Sequence, residues 1–558
     1  MPLQSPFQID IPATDLLSYL FPSSIPASDT PIWIDADDTS NSLSPSQLLS
    51  WVKRFAAGLQ GLGLKRQDVV MMYSHNHIFV PVAYLGVSGA GCVFSGCNPA
   101  YGVDETVYQV QNTECKAILV EPSLLPTLLT AAEKANFPKD RIFLFSDKEV
   151  QTTDSIKDWR SILPSASKAD SWKWEPMNAE ESRTTVAALN YSSGTTGLPK
   201  GVMISHQNII ANVEQSIYMR DLEQPYHPSS RPQERWLGFL PLYHAYGQLW
   251  SIVAACRTLS PCYFMRSFNY TKFLSNIQNH RITHIQTAPP VLVMLAKRPE
   301  TPGYDLSSLQ NILCGAAPLS KELQNQVSDR FNLKVVQTWG MTEVTCSCLH
   351  VPGGLDDRSG SVGYIDPNAS IRLLHESGHE AGPGERGEIH VKGPNVCMGY
   401  WRNEKATKET FDEEGWLKTG DVAIRDKKGR FWIVDRMKEL IKVKGFQVAP
   451  AELEAVLLEH EGVADAAVVG LMLDHEELPR AYVALKPEHK STHSEWDIER
   501  WMADRVAKHK QLSGGVVFID EVPKSPSGKI QRKVLKEWAK RDASGGWVRR
   551  KEGKGAKL

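Results

Sequence analysis

An apolar strand, Val186–Tyr191, runs without a break into the segment YSSGTTGLPKGV at 191–202. Few folds accommodate that join. A strand whose end opens into Ser192, Ser193, Gly194, Thr195, Thr196 and Gly197 presents main-chain N–H groups with no bulky side chain over them. Such a loop can wrap phosphate oxygens, and Lys200 adds a positive charge beside it. It is not the common P-loop, because Gly194 and Gly197 stand three apart and Gly201 follows Lys200. An ordinary turn needs one or two glycines, not a Ser/Thr/Gly/Lys set placed after a strand.

The surroundings repeat the strand-then-loop theme. Short apolar strands are expected at Val69–Tyr73, Ile118–Val120, Ile142–Phe145, Trp236–Leu240, Ile282–Gln286, Leu309–Cys314 and Lys334–Gln337, with helical patterns between many of them. One helix starts with Ser44 as its cap and Pro45 in its first turn, buries Leu48, Val52, Phe55 and Leu59, and stops at Gly61 and Gly63. This alternation predicts an α/β fold of layered parallel sheets with active residues on the loops after the strands. The chain's 558 residues exceed one ordinary core. The expected division is a large N-terminal domain over 1–434, including a β-rich subdomain over about 370–434, a hinge at 435–438, a small mobile α+β domain over 439–540 and a flexible tail over 541–558.

Composition removes several function classes. Lys plus Arg (62) nearly balances Asp plus Glu (64), so no global field attracts nucleic acid or an acidic membrane surface. The nine cysteines are scattered with no CxxC pair, which predicts reduced, mostly buried thiols and not a zinc site. No basic stretch followed by an apolar one marks a secretory signal near the N-terminus. Val80–Cys97 is largely apolar, but Pro81, Gly86, Gly89, Gly91 and Gly96 make it read as a buried helix and strand, since a span prefers about 20 denser apolar residues. A soluble chain without a membrane span is expected.

Further blocks follow the glycine-rich one in order: PLYHAYG (241–247), GAAPL (315–319), QTWGMTE (337–343), GWLKTGD (415–421), DRMKELIKVKGFQVAPAELE (435–454) and PKSPSGKIQRK (523–533). Together they resemble the acyl-adenylate-forming superfamily, which includes acyl- and aryl-CoA synthetases, peptide-synthetase adenylation domains and beetle luciferases. The likeness covers roughly residues 30 to 535 and is strongest to the 4-coumarate-CoA-ligase-like group. It implies an enzyme that joins a carboxylic acid to ATP as an acyl-adenylate, releases pyrophosphate, and passes the acyl group to coenzyme A with release of AMP.

The resemblance also implies roles for single residues. Ser192, Ser193, Gly194, Thr195, Thr196 and Lys200 would hold the β- and γ-phosphates, and Glu343 would bind Mg²⁺ with a loop hydroxyl such as Thr195. Gly315, Ala316 and Ala317 would lie along the adenine, with Trp339 stacked on its other face where most relatives carry Tyr. Gln337, Gly340 and Thr342 complete the nucleotide set, Thr342 at the α-phosphate, while Asp421 would accept the ribose hydroxyls with Arg436 assisting. Lys529 would bridge the substrate carboxylate and the α-phosphate, and Lys442 would serve the thioester-forming step. Between the two steps the small domain would turn about Lys438, bringing Lys444 and Gly445 to the coenzyme A channel. His244 would stand near the acyl carboxylate, yet a carboxylate nucleophile needs no general base.

The acyl pocket is expected among Tyr243, His244, Tyr246, Thr287, Thr338 and the stretch 344–348. Thr338 stands where plant coumarate ligases carry Gly, and Thr345-Cys346 where they carry Gly-Pro, which argues against a hydroxycinnamate. An aryl acid, a medium-chain fatty acid and a polyketide-derived acid all fit. Ala556-Lys557-Leu558 resembles the peroxisomal S-K-L address, so an import receptor joins the expected partners, with the cytoplasm as the other location. Rival readings are an enzyme that loads a carrier-protein thiol in trans, a luciferase-like oxygenase and an inactive scaffold. Retention of Lys529, Glu343 and Asp421 weighs against the scaffold.

Overall fold

The computed structural model describes residues 2–192, 198–443, 446–473, 476–525 and 528–544. Two large sheets form the main body. The first has seven strands in the order Lys200–Ser205, Val186–Ser192, Val93–Cys97, Val69–Tyr73, Ala117–Val120, Ile142–Leu144 and Lys157–Asp158. All neighbours in it run parallel except the edge pair of Lys200–Ser205 with Val186–Ser192. The second has nine strands, and its parallel centre runs Lys334–Trp339, Asn311–Cys314, His284–Thr287, Trp236–Gly238, Cys262–Phe264 and Trp33–Asp35. Parallel strands buried on both faces read as unbroken apolar runs, which is the pattern of VVMMY at 69–73.

One continuous apolar cluster spans both sheets and the helices between them, with Trp33, Trp159 and Trp236 fully buried. Helix Pro45–Gly61 opens with a capping box of Ser44 and Gln47 and packs on helix Val80–Gly89. The approach is close: a Cβ on Gly86 would stand 2.6 Å from Phe55 Cδ1. Val80–Gly89 and Val93–Cys97 are both buried, which accounts for the charge-free stretch between Asp68 and Asp104. Among the described residues no helix is long and apolar enough to cross a membrane.

A five-stranded antiparallel sheet comprises Leu3–Gln4, Ser370–Leu374, Gly387–Lys392, Leu417–Arg425 and Phe431–Arg436. Its first strand comes from the start of the chain, pairing Leu3 with Ile371. Two residues of strand are too short to announce themselves in sequence. Its last strand carries Asp435 and Arg436, the first half of the segment expected as a hinge.

The small domain holds a hairpin of Ile441–Val443 and Phe446–Val448 and a three-stranded sheet of Val463–Leu473, Glu476–Leu485 and Val516–Ile519. Helices Pro450–Glu459, Glu495–Ala503 and Arg532–Ser544 cover it. The last helix carries residues 541–544, which read as tail in the sequence, because Asp542 accepts from Arg480 at 2.6 Å and from Tyr482 Oη at 3.1 Å.

The two large sheets meet closely at Gly96, where a Cβ would stand 2.7 Å from both Cα and O of Tyr243. Backbone cannot yield there as a flexible side chain would. Gly96→Ala is expected to cost about 1–3 kcal/mol of stability, read as a lowered thermal midpoint, and to raise the KM for the acid by displacing the 241–247 loop. An unchanged midpoint and KM would show that the junction is not tight.

Candidate active site

The glycine-rich loop leaves and re-enters the seven-stranded sheet at facing positions, Ser192 opposite Lys200. That pairing closes the neck of the loop; Ser193, Gly194, Thr195 and Thr196 lie outside the described residues. Residues 398–401 run alongside the edge strand, with Met203 N–H bonded to Gly399 O at 2.9 Å and Trp401 N–H to Gly201 O at 2.7 Å. This brings the Tyr400 ring under Lys200 Nζ, 4.8 Å from its centroid, and lets Tyr400 Oη donate to Glu343 Oε1 at 2.8 Å. Burial first, and Glu343 second, push the Tyr400 phenol well above its ordinary value, so it stays a donor. Tyr400 escaped the sequence reading, because a tyrosine in a β-rich stretch carries no spacing that marks it.

Strand ends of the nine-stranded sheet supply the next group. Asn311–Cys314 opens into Gly315 and Ala316, and Lys334–Trp339 opens into Gly340, Met341, Thr342 and buried Glu343. Gly315 is required by Thr338, whose Cγ2 would meet a Cβ at 2.9 Å, and a Cβ on Gly340 would fall on the Cys346 carbonyl. Ala316 holds φ +71°, a left-handed conformation that costs an alanine energy and clusters at binding loops. Asp421 and Arg436 face each other across antiparallel strands, and Arg436 Nε donates to Asp421 Oδ1 at 3.1 Å. Trp339 Nε1 donates to the other oxygen at 2.9 Å, so this tryptophan also orients the carboxylate.

Gln337, Thr287, Tyr243 and Ala317 are not among the residues that wall the pocket described below. The Gln337 side-chain amide is spent on Leu319 O at 3.1 Å and Gln324 Oε1 at 2.8 Å, tying the strand to helix Lys321–Phe331 instead of facing the pocket. Thr287 is fully buried behind it, its carbonyl accepting from Gly315 N–H at 2.9 Å. Both residue types suit a ligand contact, but the Gln337 amide is committed to helix Lys321–Phe331 and Thr287 Oγ1 to the Ala288 carbonyl at 3.4 Å.

The pocket is walled by His244, Tyr246, Gly315, Thr338, Thr342, Cys346 and Ser347, and by Trp250 and Met341, which the sequence reading did not single out. Trp250 lies in a π-helical turn, Gln248–Ala254, a winding frequent at functional sites and invisible to a 3.6-residue count. His244 Nδ1 accepts from Tyr246 N–H at 3.3 Å, which leaves the proton on Nε2. Burial, with Lys529 adding to it, pushes the His244 imidazole down to about 3, so it is a neutral donor and not a base. Burial pushes the Cys346 thiol up to about 12, which removes it as a nucleophile.

Lys529 enters this pocket from the small domain. It follows Gly528 at φ +81° in a tight hairpin closed by Ser525 N–H to Lys529 O and Gly528 N–H to Ser525 O, both 2.8 Å. Burial pushes its ammonium below the ordinary lysine value; Arg436 adds to the fall, and Glu343 and Asp421 oppose it. With Lys529 inside, about 30 Å³ remains free, room for one water.

The remaining small-domain residues stand apart from the pocket. Lys442 is exposed, its N–H bonded to Glu477 Oε2 at 2.8 Å. Lys438 is exposed as well, and Lys444 and Gly445 lie outside the described residues.

A family model described as AMP-binding enzyme matches residues 26–401, and one described as AMP-binding enzyme C-terminal domain matches 452–529. An acyl-CoA synthetase of Alternaria alternata is 39% identical over 91% of this chain and 87% of its own length. A phenylacetyl-CoA ligase of Aspergillus niger is 37% identical over 96% and 98%. The solved structure of ATP-bound MatB from Rhodopseudomonas palustris superposes with a TM-score of 0.81 at 27% identity, over 95% of this chain and 99% of that one. The chain therefore belongs to the AMP-binding enzyme family, as an AMP-forming acyl-CoA ligase that works through an acyl-adenylate.

Proposed function

We propose that this ligase takes an apolar aryl or medium-chain acid, and that the arrangement described is the one that forms the adenylate. The observation that carries the reading is Lys529, borne by the small domain yet standing in a pocket of the large one beside His244 and Thr342. A cation there suits the step in which a substrate carboxylate oxygen attacks the α-phosphorus and pyrophosphate leaves. Exposed Lys442 fits the same reading, since it would be used only after the small domain turns about Lys438 and admits the thiol of coenzyme A.

The other roles follow from position. Ser192, Lys200 and the loop between them would grip the β- and γ-phosphates, and Asp421, braced by Trp339 and Arg436, would take the ribose hydroxyls. Mg²⁺, when bound, would be held by Glu343 and phosphate oxygens, with Thr195 as a further oxygen donor, and would neutralise charge on the departing pyrophosphate. A single protein carboxylate suits that ion, which takes one or two carboxylates plus substrate phosphates.

Hydroxyl bookkeeping supports an apolar acyl tail. Tyr246 Oη donates to Leu313 O at 3.0 Å, Thr338 Oγ1 to Leu349 O at 2.8 Å, and Ser347 Oγ lies 3.4 Å from Ser216 Oγ. These groups already have partners, and Trp250, Met341 and Cys346 make up the rest of that wall. A hydroxyl on the tail would give up water for at most an acceptor lone pair on one of these oxygens, whose own protons are largely committed. The relative named for phenylacetate, an acid without a polar tail, supports the same class. The C-terminal Ala556-Lys557-Leu558 is proposed as a peroxisomal address.

Lys529→Ala should cut adenylate formation from acid and ATP by about 100-fold or more while supplied acyl-adenylate is still converted to the thioester. Equal loss of both half-reactions would contradict domain alternation. Across an acid panel with coenzyme A, phenylacetate or a medium-chain acid should exceed its ring- or chain-hydroxylated analogue by about tenfold or more in kcat/KM. A preference for the hydroxylated acids would sink the apolar-tail reading. Removing the last three residues from a fluorescent fusion should move it from peroxisomes to the cytoplasm, and an unchanged distribution would dismiss the address.

A further inference from the structure

The small domain rests on the large one at more than the Lys529 hairpin. Helix Pro289–Lys297 of the large domain touches it at both ends. At the first turn, Gly528 lies so near that a Cβ on it would stand 3.0 Å from Pro290 Cγ and 3.4 Å from Ala288 Cβ. At the last residue, Lys297 Nζ donates to two main-chain carbonyls of the small domain, Leu458 O at 2.6 Å and Val463 O at 2.7 Å. A helix of this length separates the two contacts by about 12 Å at 1.5 Å per residue. One contact would leave the small domain free to swing about it; two set its orientation.

The carbonyls are well suited to a cation. Leu458 is the penultimate residue of helix Pro450–Glu459, whose last carbonyls lack intrahelical donors and carry the negative end of the helix dipole. Val463 begins the strand that follows. Both acceptors travel with the small domain, whereas Lys297 stays with the large one. When the small domain turns about Lys438, these bonds must break, so they favour one arrangement only. A group that binds one of two states shifts the population toward it by its differential affinity.

We propose that Lys297 is a positioning residue that selects the adenylate-forming arrangement by clasping the Leu458 and Val463 carbonyls. The proposal rests on the reading of Lys529 as the adenylating cation. Lys297 lies outside the pocket lining, so its effect is on how often Lys529 is presented and not on the chemistry itself.

The test measures the two half-reactions of the full-length enzyme separately. Lys297→Met should slow adenylate formation from acid and ATP about tenfold or more, with the KM values for acid and ATP little changed. Thioester formation from supplied acyl-adenylate and coenzyme A should stay within about twofold of wild type, and the thermal midpoint should be kept. Lys297→Arg, which retains donors at the same end, should restore most of the adenylation rate. Unchanged adenylation, or equal loss of both half-reactions, in Lys297→Met would overturn the proposal. Should that variant fold poorly, Lys297→Gln reads the same split. Lys529→Ala run in parallel separates the two levels. If it fails to split the half-reactions, the reading of the site falls. If it splits them and the Lys297 variants do not, only the role of Lys297 falls.

Discussion

A lysine ammonium carried by one domain is buried among the strand-end loops of another, and most of the site serves to make that burial tolerable. Taking a lone ion out of water costs several kcal/mol even after relaxation. Here Glu343 and Asp421 offset part of the cost, while Arg436 adds repulsion. The residual preference is for more negative charge, which a carboxylate and a nucleotide phosphate supply together. Charge placed in advance of its ligand needs no reorganisation at the moment of reaction, and it is worth more where water is excluded.

The geometry around Lys529 explains several residues with no chemistry of their own. Gly528 adopts the left-handed turn that aims the hairpin, and Gly340 lets the Trp339 strand end pass against Cys346 and Ser347. His244 is held neutral by burial, so its Nε2–H can donate to an anion without competing for its proton. In the same pocket Tyr246 and Thr338 direct their hydroxyl protons to main-chain carbonyls, and Ser347 lies against Ser216.

Under the proposed turn of the small domain, the link between the domains would have to let that lysine leave. Arg532, three residues beyond Lys529, pairs with Glu439 at 2.5 Å and with Glu454 of helix Pro450–Glu459, so the chain just after Lys438 belongs mechanically to the small domain. Asp435 accepts from Ala451 N–H at 3.0 Å, and burial pushes its carboxyl up to about 6. Lys438 lies between these ties with its side chain in solvent. The Asp435 bond therefore crosses the segment, from the last strand of the large domain to a helix of the small one, and a turn about Lys438 would have to release it.

The glycine-rich loop after Val186–Tyr191, the strand-and-helix alternation and the ordered blocks were legible because each rests on local rules: apolar periodicity, caps, and small residues where backbone must be open. Those rules sufficed for the layered α/β fold, the family and the adenylating chemistry. They could not orient side chains. Gln337 looked like a ligand and is a brace, Trp339 looked like a stacking ring and also holds Asp421, and Tyr400 looked like nothing and joins Lys200 to Glu343. Trp250 was hidden because a π-turn breaks the periodicity that would have placed it. Sequence by itself determined which chemistry the chain can perform, since that depends on residue types at fixed local spacing. Only the tertiary structure decided which groups share the pocket, how Lys529 reaches it and that Lys297 clasps the small domain, because those contacts join residues distant in the chain through packing that no local pattern records.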